Sequence, residues 1–149
     1  MDNLRELYQE VILDHNKNPR NFRKMENPDG FAHGDNPLCG DQIDVYLTLR
    51  DGVVEDVSFD GHGCAICTAS ASMMTLALKG KPAAEAQALF ESFHHALTDD
   101  EAHPGDMPLG KLKVLAGVKE FPVRVKCATL AWHTFGAALK KLQGEITTE

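Results

Sequence analysis

The chain has 149 residues, of which 43% are hydrophobic and 25% are charged, and its formal net charge is -7. This length and composition are typical of one globular domain with a single substantial core. The acidic balance argues against a nucleic-acid-binding protein, which normally carries a basic patch. No apolar run approaches the roughly 20 residues that span a bilayer, and charged residues interrupt the N-terminal segment, so we expect no membrane span, no signal peptide and a cytoplasmic location.

Periodicity predicts one helix and then three strands in the first part of the chain. Apolar residues at helical spacing favour an amphipathic helix over residues 3–15. Residues 31–33 are consistent with a short edge strand. Residues 42–49 alternate between apolar and polar side chains, as do residues 53–59 apart from Glu55, which is the pattern of half-buried strands. We therefore expect these two segments to form an antiparallel hairpin.

The connection between the two strands determines their register. We expect a three-residue loop at residues 50–52, in which the glycine adopts the left-handed conformation. A two-residue Asp-Gly turn is the alternative, and we reject it because it sets apolar residues opposite polar ones. The expected pairs are Leu49 with Val53, Val45 with Val57, Ile43 with Phe59, Asp41 with Gly61 and Cys39 with Gly63.

The rest of the chain is predicted to be mainly helical. Residues 64–79 are apolar nearly all round and suit a buried helix, which Gly80 closes. Further segments follow in order: a helix that begins at Pro82, an acidic loop at 98–108, a short helix at 109–118 and a last helix at 122–143. The predicted fold is α+β, a small antiparallel sheet with helices packed on one face.

The expected register brings metal-binding side chains together at the open end of the hairpin. Cys64 is the residue after the predicted partner of Cys39, so two thiols and the carboxylate of Asp41 converge there. Cys127 lies in the first turns of the last helix, just after basic residues, and joins the site if that helix packs over the hairpin end. Helix starts and nearby cations favour thiolate over thiol. Three thiolates and a carboxylate suit tetrahedral Zn²⁺ or an iron–sulfur cluster.

Other kinds of site use some of the same residues. Cys64 and Cys67 form a Cys-x-x-Cys pair at a helix start, as in dithiol oxidoreductases, but the preceding strand belongs to an antiparallel hairpin. In a tetrahedral site Cys67 is a surplus thiol, or it is a small core residue. A purely structural zinc module would use the same ligands without turnover. A zinc hydrolase would need an open coordination position and a general base, and His62 is the only nearby histidine.

Several segments carry recognisable motifs. They are Leu7-Tyr8 with Asp14-His15 and Asn18-Pro19-Arg20-Asn21; Leu38-Cys39-Gly40-Asp41; Gly61-His62-Gly63-Cys64-Ala65-Ile66 with Ala69-Ser70-Ala71-Ser72-Met73-Met74; and Arg124-Val125-Lys126-Cys127-Ala128. In this order, the motifs resemble those of the U-type iron–sulfur cluster assembly proteins, the IscU/SufU family. The resemblance covers nearly the whole chain and implies a single domain over residues 1–149.

The resemblance implies a site and a reaction. In this family three cysteines and an aspartate hold zinc or a nascent 2Fe–2S cluster, and they match Cys39, Asp41, Cys64 and Cys127. A pyridoxal-phosphate cysteine desulfurase of the SufS type would pass persulfide sulfur to the protein, which would act as a sulfur acceptor or cluster scaffold rather than as a conventional turnover enzyme. Downstream carriers or apo-proteins would receive the cluster. Cys39 is the expected persulfide acceptor, because it lies in a Gly- and Pro-rich loop that can move.

Two features resemble the SufU branch of the family more than the IscU branch. Lys126 stands where the IscU branch has a histidine before the third cysteine. The helix and acidic loop at about residues 81–108 resemble an insertion found in the SufU branch. Residues 120–124 match the chaperone-binding motif of the IscU branch only in part.

Overall fold

The computed structural model describes residues 2–98 and 107–142, with side chains from residue 6 onward. Its elements are α1 (Asp2–Lys17), β1 (Gly30–Asn36), β2 (Asp41–Arg50), β3 (Val53–His62), α2 (Ala65–Leu78), α3 (Ala83–Thr98), a 3-10 helix (Gly110–Glu120) and α4 (Pro122–Leu142). No helix within the two described ranges is both long and apolar enough to cross a membrane.

The three strands form one antiparallel sheet in the order β1-β2-β3. The predicted edge strand at 31–33 is confirmed and is longer than expected, because β1 continues to Asn36. Alternation along β2 buries one face, where Ile43, Val45 and Leu47 are at most 1% exposed. Helix α4 packs on β1 and β2, and α2 packs on β3, so the predicted α+β architecture is confirmed.

The β2–β3 turn differs from the one we expected. Asp51 and Gly52 form a two-residue turn, and both have positive φ, at 53° and 79°. Primed turns of this kind match the twist of the flanking strands. A β-bulge then follows, with Glu55 as the extra residue, and beyond it Leu47 pairs with Val57. Our rejection of the two-residue turn was wrong, because the bulge restores the alignment of apolar residues that this turn alone would lose.

All five expected pairs were wrong, since Leu49 pairs with Val54, Val45 with Phe59 and Ile43 with Gly61. The last pair of the ladder is Gln42 with His62, which sets Asp41 level with Gly63. Cys39 lies instead in the turn that joins β1 to β2. A Cβ atom on Gly63 would lie 2.7 Å from Asp41 Oδ1, so this close approach of strand and carboxylate requires glycine.

The predicted helices are present, with some differences in length and type. Helix α1 extends two residues past the predicted end, and the segment predicted as a short helix at 109–118 is a 3-10 helix. Most of the predicted acidic loop at 98–108 lies outside the described residues. Beneath α4, the Trp132 ring stacks on Phe93 with centroids 4.4 Å apart. This packing holds α4 against α3, and the contacts of α4 with β1 and β2 place Cys127 at the hairpin end.

Candidate metal centre

Three of the four predicted ligands lie together at the open end of the hairpin. One ligand atom from each of Cys39, Asp41 and Cys127 lies within 4.8 Å of the other two. The thiol of Cys127 is 3.2 Å from Cys39 Sγ, and both cysteines are free. Asp41 and Cys127 are completely buried, whereas Cys39 is partly exposed. The packing of α4 over the hairpin end therefore places Cys127 in this site.

The carboxylate of Asp41 is held by hydrogen bonds from both sides. The main-chain N–H of Cys64 donates to Asp41 Oδ1 at 2.8 Å. The side-chain amide of Asn36 lies 3.5 Å from Asp41 Oδ2. A buried carboxylate needs such donors, because burial without them is costly. Asp41 is thus fixed at the centre of the site before any cation binds.

Cys64 lies beside this group, but its thiol is turned towards its own helix. It is the N-cap residue of α2, and its Sγ accepts a hydrogen bond from the Cys67 main-chain N–H at 3.4 Å. Cys64 also lines an open pocket with Cys39 and residues 120–124. The structure therefore places the Cys64 backbone on Asp41 and the Cys64 thiol at the rim of the same site.

The protonation of Cys127 differs from what the helix position suggested. Burial raises the pKa of the Cys127 thiol, and its interactions with Cys39, Asp41 and Cys64 raise it further. The helix start does not offset this effect, because the surrounding groups become negative when they ionise. A divalent cation among them would favour the deprotonated thiols. The cluster is therefore suited to hold a cation.

The donor set matches the preferences of zinc. Zinc takes thiolate and carboxylate ligands in tetrahedral sites, and Cys39, Asp41 and Cys127 provide three such donors within one small volume. Rotation of the Cys64 side chain away from its capping position would supply a fourth. The residues present thus fit a zinc ion.

Cys67 lies behind the site. Its side chain is completely buried in the core. Burial raises the pKa of the Cys67 thiol, and the negative charges of Asp41, Cys64 and Cys39 raise it further. The Cys67 thiol is therefore protonated in the absence of a metal.

Two polar residues besides the ligands contribute to the site: Asn36, which the sequence did not reveal, and Arg124, one of the basic residues expected just before Cys127. Asn36 is 7% exposed, and its amide lies 3.9 Å from Cys127 Sγ as well as close to Asp41. Our edge-strand prediction ended at residue 33, so Asn36 was not expected opposite Asp41, where the register now places it. Arg124 lies at the open side, and the charges of Cys64 and Cys127 raise its pKa. A cation therefore faces the thiols from the first turn of α4.

Exposed apolar side chains surround the open side of the site. Leu38 is 71% exposed, Phe121 is 53% exposed and Val123 is 60% exposed. Phe121 and Val123 line the pocket that contains Cys39 and Cys64, and Leu38 precedes Cys39 in the chain. We call these three residues the apolar rim.

Histidines do not take part in the metal centre within the described residues. His62 is exposed at the end of β3, and no histidine joins the group of possible ligands there. A ring nitrogen of His33 instead lies 2.5 Å from Asp44 Oδ1 on the outer face of the sheet. The arrangement gives no support to the zinc hydrolase alternative, which needs a general base beside the metal.

Thiols and a carboxylate lie together at the end of a small antiparallel sheet. This arrangement is typical of proteins that bind a metal ion through cysteine side chains. The family model for the NifU-like N-terminal domain matches residues 7–148. The chain therefore belongs to the NifU-like N-terminal domain family. This result confirms the resemblance to U-type assembly proteins that the motifs indicated.

Relatives from both branches are similar over most of their length. The zinc-dependent sulfurtransferase SufU of Bacillus subtilis is 42% identical over 142 residues, which cover 95% of each chain. The iron–sulfur cluster assembly scaffold protein IscU of Streptococcus pyogenes is 39% identical over 141 residues, which cover 95% of this chain and 87% of that one.

Solved structures share the fold. The N-terminal part of a nitrogen-fixing NifU-like protein from Brucella abortus superposes with a TM-score of 0.83 at 25% identity, covering 94% of this chain and 96% of that one. A protein from Fervidobacterium islandicum, described as a candidate cluster assembly scaffold of the SUF system, gives a TM-score of 0.83 at 34% identity. That match covers 91% of this chain and 98% of the other.

Proposed function

We propose that this protein accepts persulfide sulfur from a cysteine desulfurase at a zinc site formed by Cys39, Asp41, Cys64 and Cys127. The convergence of Cys39, Asp41 and Cys127 within 4.8 Å is the observation that carries the proposal. The names of the relatives agree, because one is a zinc-dependent sulfurtransferase and another is a cluster assembly scaffold. The features shared with the SufU branch, Lys126 and the segment at about 81–108, favour the sulfurtransferase role.

Zinc would be held by the thiols of Cys39, Cys64 and Cys127 and by the carboxylate of Asp41. When bound, it would keep the thiols deprotonated and stabilise the packing of β2, α2 and α4 around it. Asn36 supports this role, because its amide lies near both Asp41 and Cys127 and can orient their lone pairs.

Cys39 is the proposed sulfur acceptor. Its thiolate attacks the outer sulfur of the desulfurase persulfide; a new S–S bond forms on Cys39, the old S–S bond breaks, and the desulfurase cysteine leaves as a thiolate. Cys39 is partly exposed in the turn between β1 and β2, and Gly40 has φ +70° with open space beside it. Cys64 and Cys127 are held in the first turns of helices, so they have less freedom to reach a partner.

The apolar rim is the proposed contact surface for the desulfurase. Exposed side chains of this kind mark interaction sites when they cluster, and Leu38, Phe121 and Val123 surround Cys39. Arg124 in the same pocket offers a positive charge to an incoming persulfide anion. The partner would dock over the open side, with its persulfide directed at Cys39.

Cluster scaffolding is a second candidate function for the same residues. Here the 2Fe–2S cluster is cargo, built on Cys39, Asp41, Cys64 and Cys127 and passed to carriers or apo-proteins. The carboxylate of Asp41 favours this role, because it is a weaker ligand for an iron–sulfur centre than a thiolate and leaves the cargo exchangeable. The remaining parts of the proposal are a cytoplasmic location, where thiols stay reduced, and a single domain over residues 1–149.

One set of measurements tests these functions together. The purified protein is assayed for bound zinc and then added to a SufS-type desulfurase with free cysteine, and the rate of alanine formation is followed. We expect about one zinc per chain and a clear stimulation of the desulfurase. Bound zinc without stimulation would favour the structural zinc module, and a native Cys64–Cys67 disulfide without zinc would favour the dithiol oxidoreductase.

A further inference from the structure

Two thiols of the metal centre lie in contact, although they belong to different elements of the fold. The sulfur of Cys39, in the turn between β1 and β2, is 3.2 Å from the sulfur of Cys127 in α4, and neither cysteine is part of a disulfide. A disulfide bond is about 2.05 Å long, so a movement of about 1 Å would bring the two sulfurs to bonding distance. The pair is therefore suited to form a disulfide as well as to hold a metal.

The two cysteines differ in their access to solvent. Cys39 is partly exposed and lines the open pocket, so a small oxidant can reach its sulfur. Cys127 is completely buried, and its thiol donates a hydrogen bond to Cys39 Sγ. Redox-sensitive sites often have this arrangement, in which an accessible cysteine is oxidised first and a neighbouring cysteine then forms a disulfide with it.

The turn that carries Cys39 can supply the movement that the bond requires. A Cβ atom on Gly40 would meet nothing within 4 Å, and Leu38 on the other side of Cys39 is 71% exposed. Cys127 is held more firmly, because the carbonyl of the next residue, Ala128, accepts a hydrogen bond from the buried hydroxyl of Ser70. Cys39 would therefore move towards Cys127 while α4 stays in place.

We propose that Cys39 and Cys127 form a reversible disulfide that stops sulfur transfer under oxidising conditions, a regulation that rests on the proposed function. The oxidant is a hydroperoxide. The Cys39 sulfur attacks the O–O bond and becomes a sulfenic acid, and the other oxygen leaves as water or an alcohol. The Cys127 sulfur then attacks the Cys39 sulfur, so that the S–S bond forms, the S–O bond breaks and the hydroxyl group leaves as water.

The electrons and protons of this reaction balance. The two thiols lose two electrons and two protons, and the hydroperoxide takes them up as it is reduced. A dithiol reductant reverses the change by thiol–disulfide exchange, in which its own two thiols become a disulfide. The same protein can therefore pass between the two states many times.

The disulfide would remove both the metal and the sulfur acceptor from use. A sulfur atom in a disulfide carries no thiolate charge, so zinc would lose two of its four proposed ligands. Asp41 and Cys64 alone would hold the ion weakly, and we expect zinc to be released. The disulfide also occupies the Cys39 sulfur that would otherwise attack the persulfide of the desulfurase.

The alternative is that the two sulfurs are close only because they share a metal ion. An oxidant would then convert the exposed Cys39 to higher oxidation states, or it would join another pair of cysteines. In either case no specific bond between Cys39 and Cys127 would form.

Mapping of disulfides after mild oxidation tests the proposal. The zinc-loaded protein is treated with a small excess of hydrogen peroxide, its remaining thiols are blocked with N-ethylmaleimide, and its peptides are analysed by mass spectrometry without reduction. We expect Cys39–Cys127 to be the main disulfide and zinc to pass to a chromophoric chelator as this bond forms. Stimulation of the desulfurase should be lost, and dithiothreitol with added zinc should restore it.

Two variants make the test specific. Cys127→Ser removes the resolving thiol, so we expect peroxide to carry Cys39 on to a sulfinic acid that dithiothreitol does not reverse. Cys67→Ser is the matched control, because Cys67 is a buried cysteine outside the group of possible metal ligands, and it should behave like the unchanged chain. Circular dichroism checks that each variant is folded, and Cys127→Ala replaces the serine variant if that one unfolds.

The outcomes separate this inference from the proposed function. A Cys64–Cys67 disulfide as the main product, or a sulfinic acid on Cys39 of the unchanged chain without any disulfide, would contradict the inference and leave the proposed function standing. The same holds if Cys39–Cys127 forms while zinc stays bound and the desulfurase is still stimulated. If the unoxidised chain neither binds zinc nor stimulates the desulfurase, the proposed function is wrong and the regulation with it.

Discussion

The main-chain N–H of Cys64 donates a hydrogen bond to Asp41 Oδ1 at 2.8 Å, across 23 residues of sequence. This bond joins the first residue of β2 to the N-cap of α2. Asp41 is completely buried, and the amide of Asn36 lies near its other oxygen. One carboxylate is therefore both a candidate metal ligand and a structural connection between sheet and helix.

This double role predicts two separable effects of changing Asp41. Asp41→Ala leaves the Cys64 N–H without its acceptor, and we expect the metal-free protein to lose about 1–3 kcal/mol of unfolding free energy, measured in urea. Asp41→Asn keeps an acceptor oxygen and is expected to lower the unfolding free energy by a smaller amount. Equal losses in the two variants would show that the hydrogen bond is not what stabilises the junction.

The metal-bound form of the Asp41→Ala variant tests the ligand role. We expect slower release of zinc to a chelator and slower transfer of a bound cluster to an apo-ferredoxin, because the exchangeable ligand is gone. Asp35→Ala, at an exposed carboxylate on β1, is the control. If zinc and the cluster left the variant at the unchanged rate, Asp41 would act only as a hydrogen-bond acceptor for the main chain.

Substitutions of Cys64 separate its capping role from its metal-binding role. Cys64→Ser keeps an acceptor for the Cys67 N–H but replaces a good zinc ligand with a poor one, whereas Cys64→Ala removes both. We expect both variants to bind less zinc. In the metal-free state, we expect only Cys64→Ala to lower the free energy of unfolding, by about 1 kcal/mol. Metal analysis and unfolding curves measure the two effects. Full zinc occupancy in both variants would remove Cys64 from the ligand set.

Asn36 is predicted to orient two ligands. We expect Asn36→Ala to weaken zinc binding by about 10- to 100-fold, as is typical when a residue that supports metal ligands is lost. Competition with a chromophoric chelator measures the affinity. Gln42→Ala provides the matched control, because Gln42 is an exposed amide next to Asp41. An affinity equal to that of the control would mean that the long contacts of Asn36 do not influence the site.

The sulfur acceptor can be located by mass mapping. After incubation with the desulfurase and cysteine, we expect the persulfide mainly on Cys39, because this is the partly exposed thiol on the turn. Cys39→Ala should abolish most of the bound sulfur. Persulfide on Cys127 that persists in Cys39→Ala would overturn this assignment, but it would not affect the membership of the chain in its family.

The hairpin shows why a sequence pattern can predict a face correctly and a register incorrectly. The two-residue turn shifts the pairing by one residue from the predicted alignment, and the bulge at Glu55 shifts it by one more. A shift of two residues preserves which side chains share a face. The pattern therefore predicted the buried face and the approach of Asp41 to Cys64, although it could not identify the individual pairs.

The site was predictable where a motif marked its residues and unpredictable where tertiary contacts define them. Cysteine and aspartate stand out by their chemistry, so Cys39, Asp41 and Cys127 were identified before their distances were known. Asn36 is an ordinary amide in a Gly- and Asn-rich segment, and only the pairing of β1 with β2 gives it a role. The turned-in thiol of Cys64 depends on a side-chain rotation that no local pattern specifies.

The bulge at Glu55 also bears on how the chain tolerates changes in length. Glu55 is the residue that the ladder leaves unpaired, so its deletion would regularise β3 and still leave Asp41 level with Gly63. A residue inserted between Val57 and Gly63 could not be absorbed by the bulge. It would turn the Asp41 side of the hairpin away from α2. Changes of length near the turn are thus compatible with the metal centre, whereas the stretch between the bulge and Cys64 must keep its length.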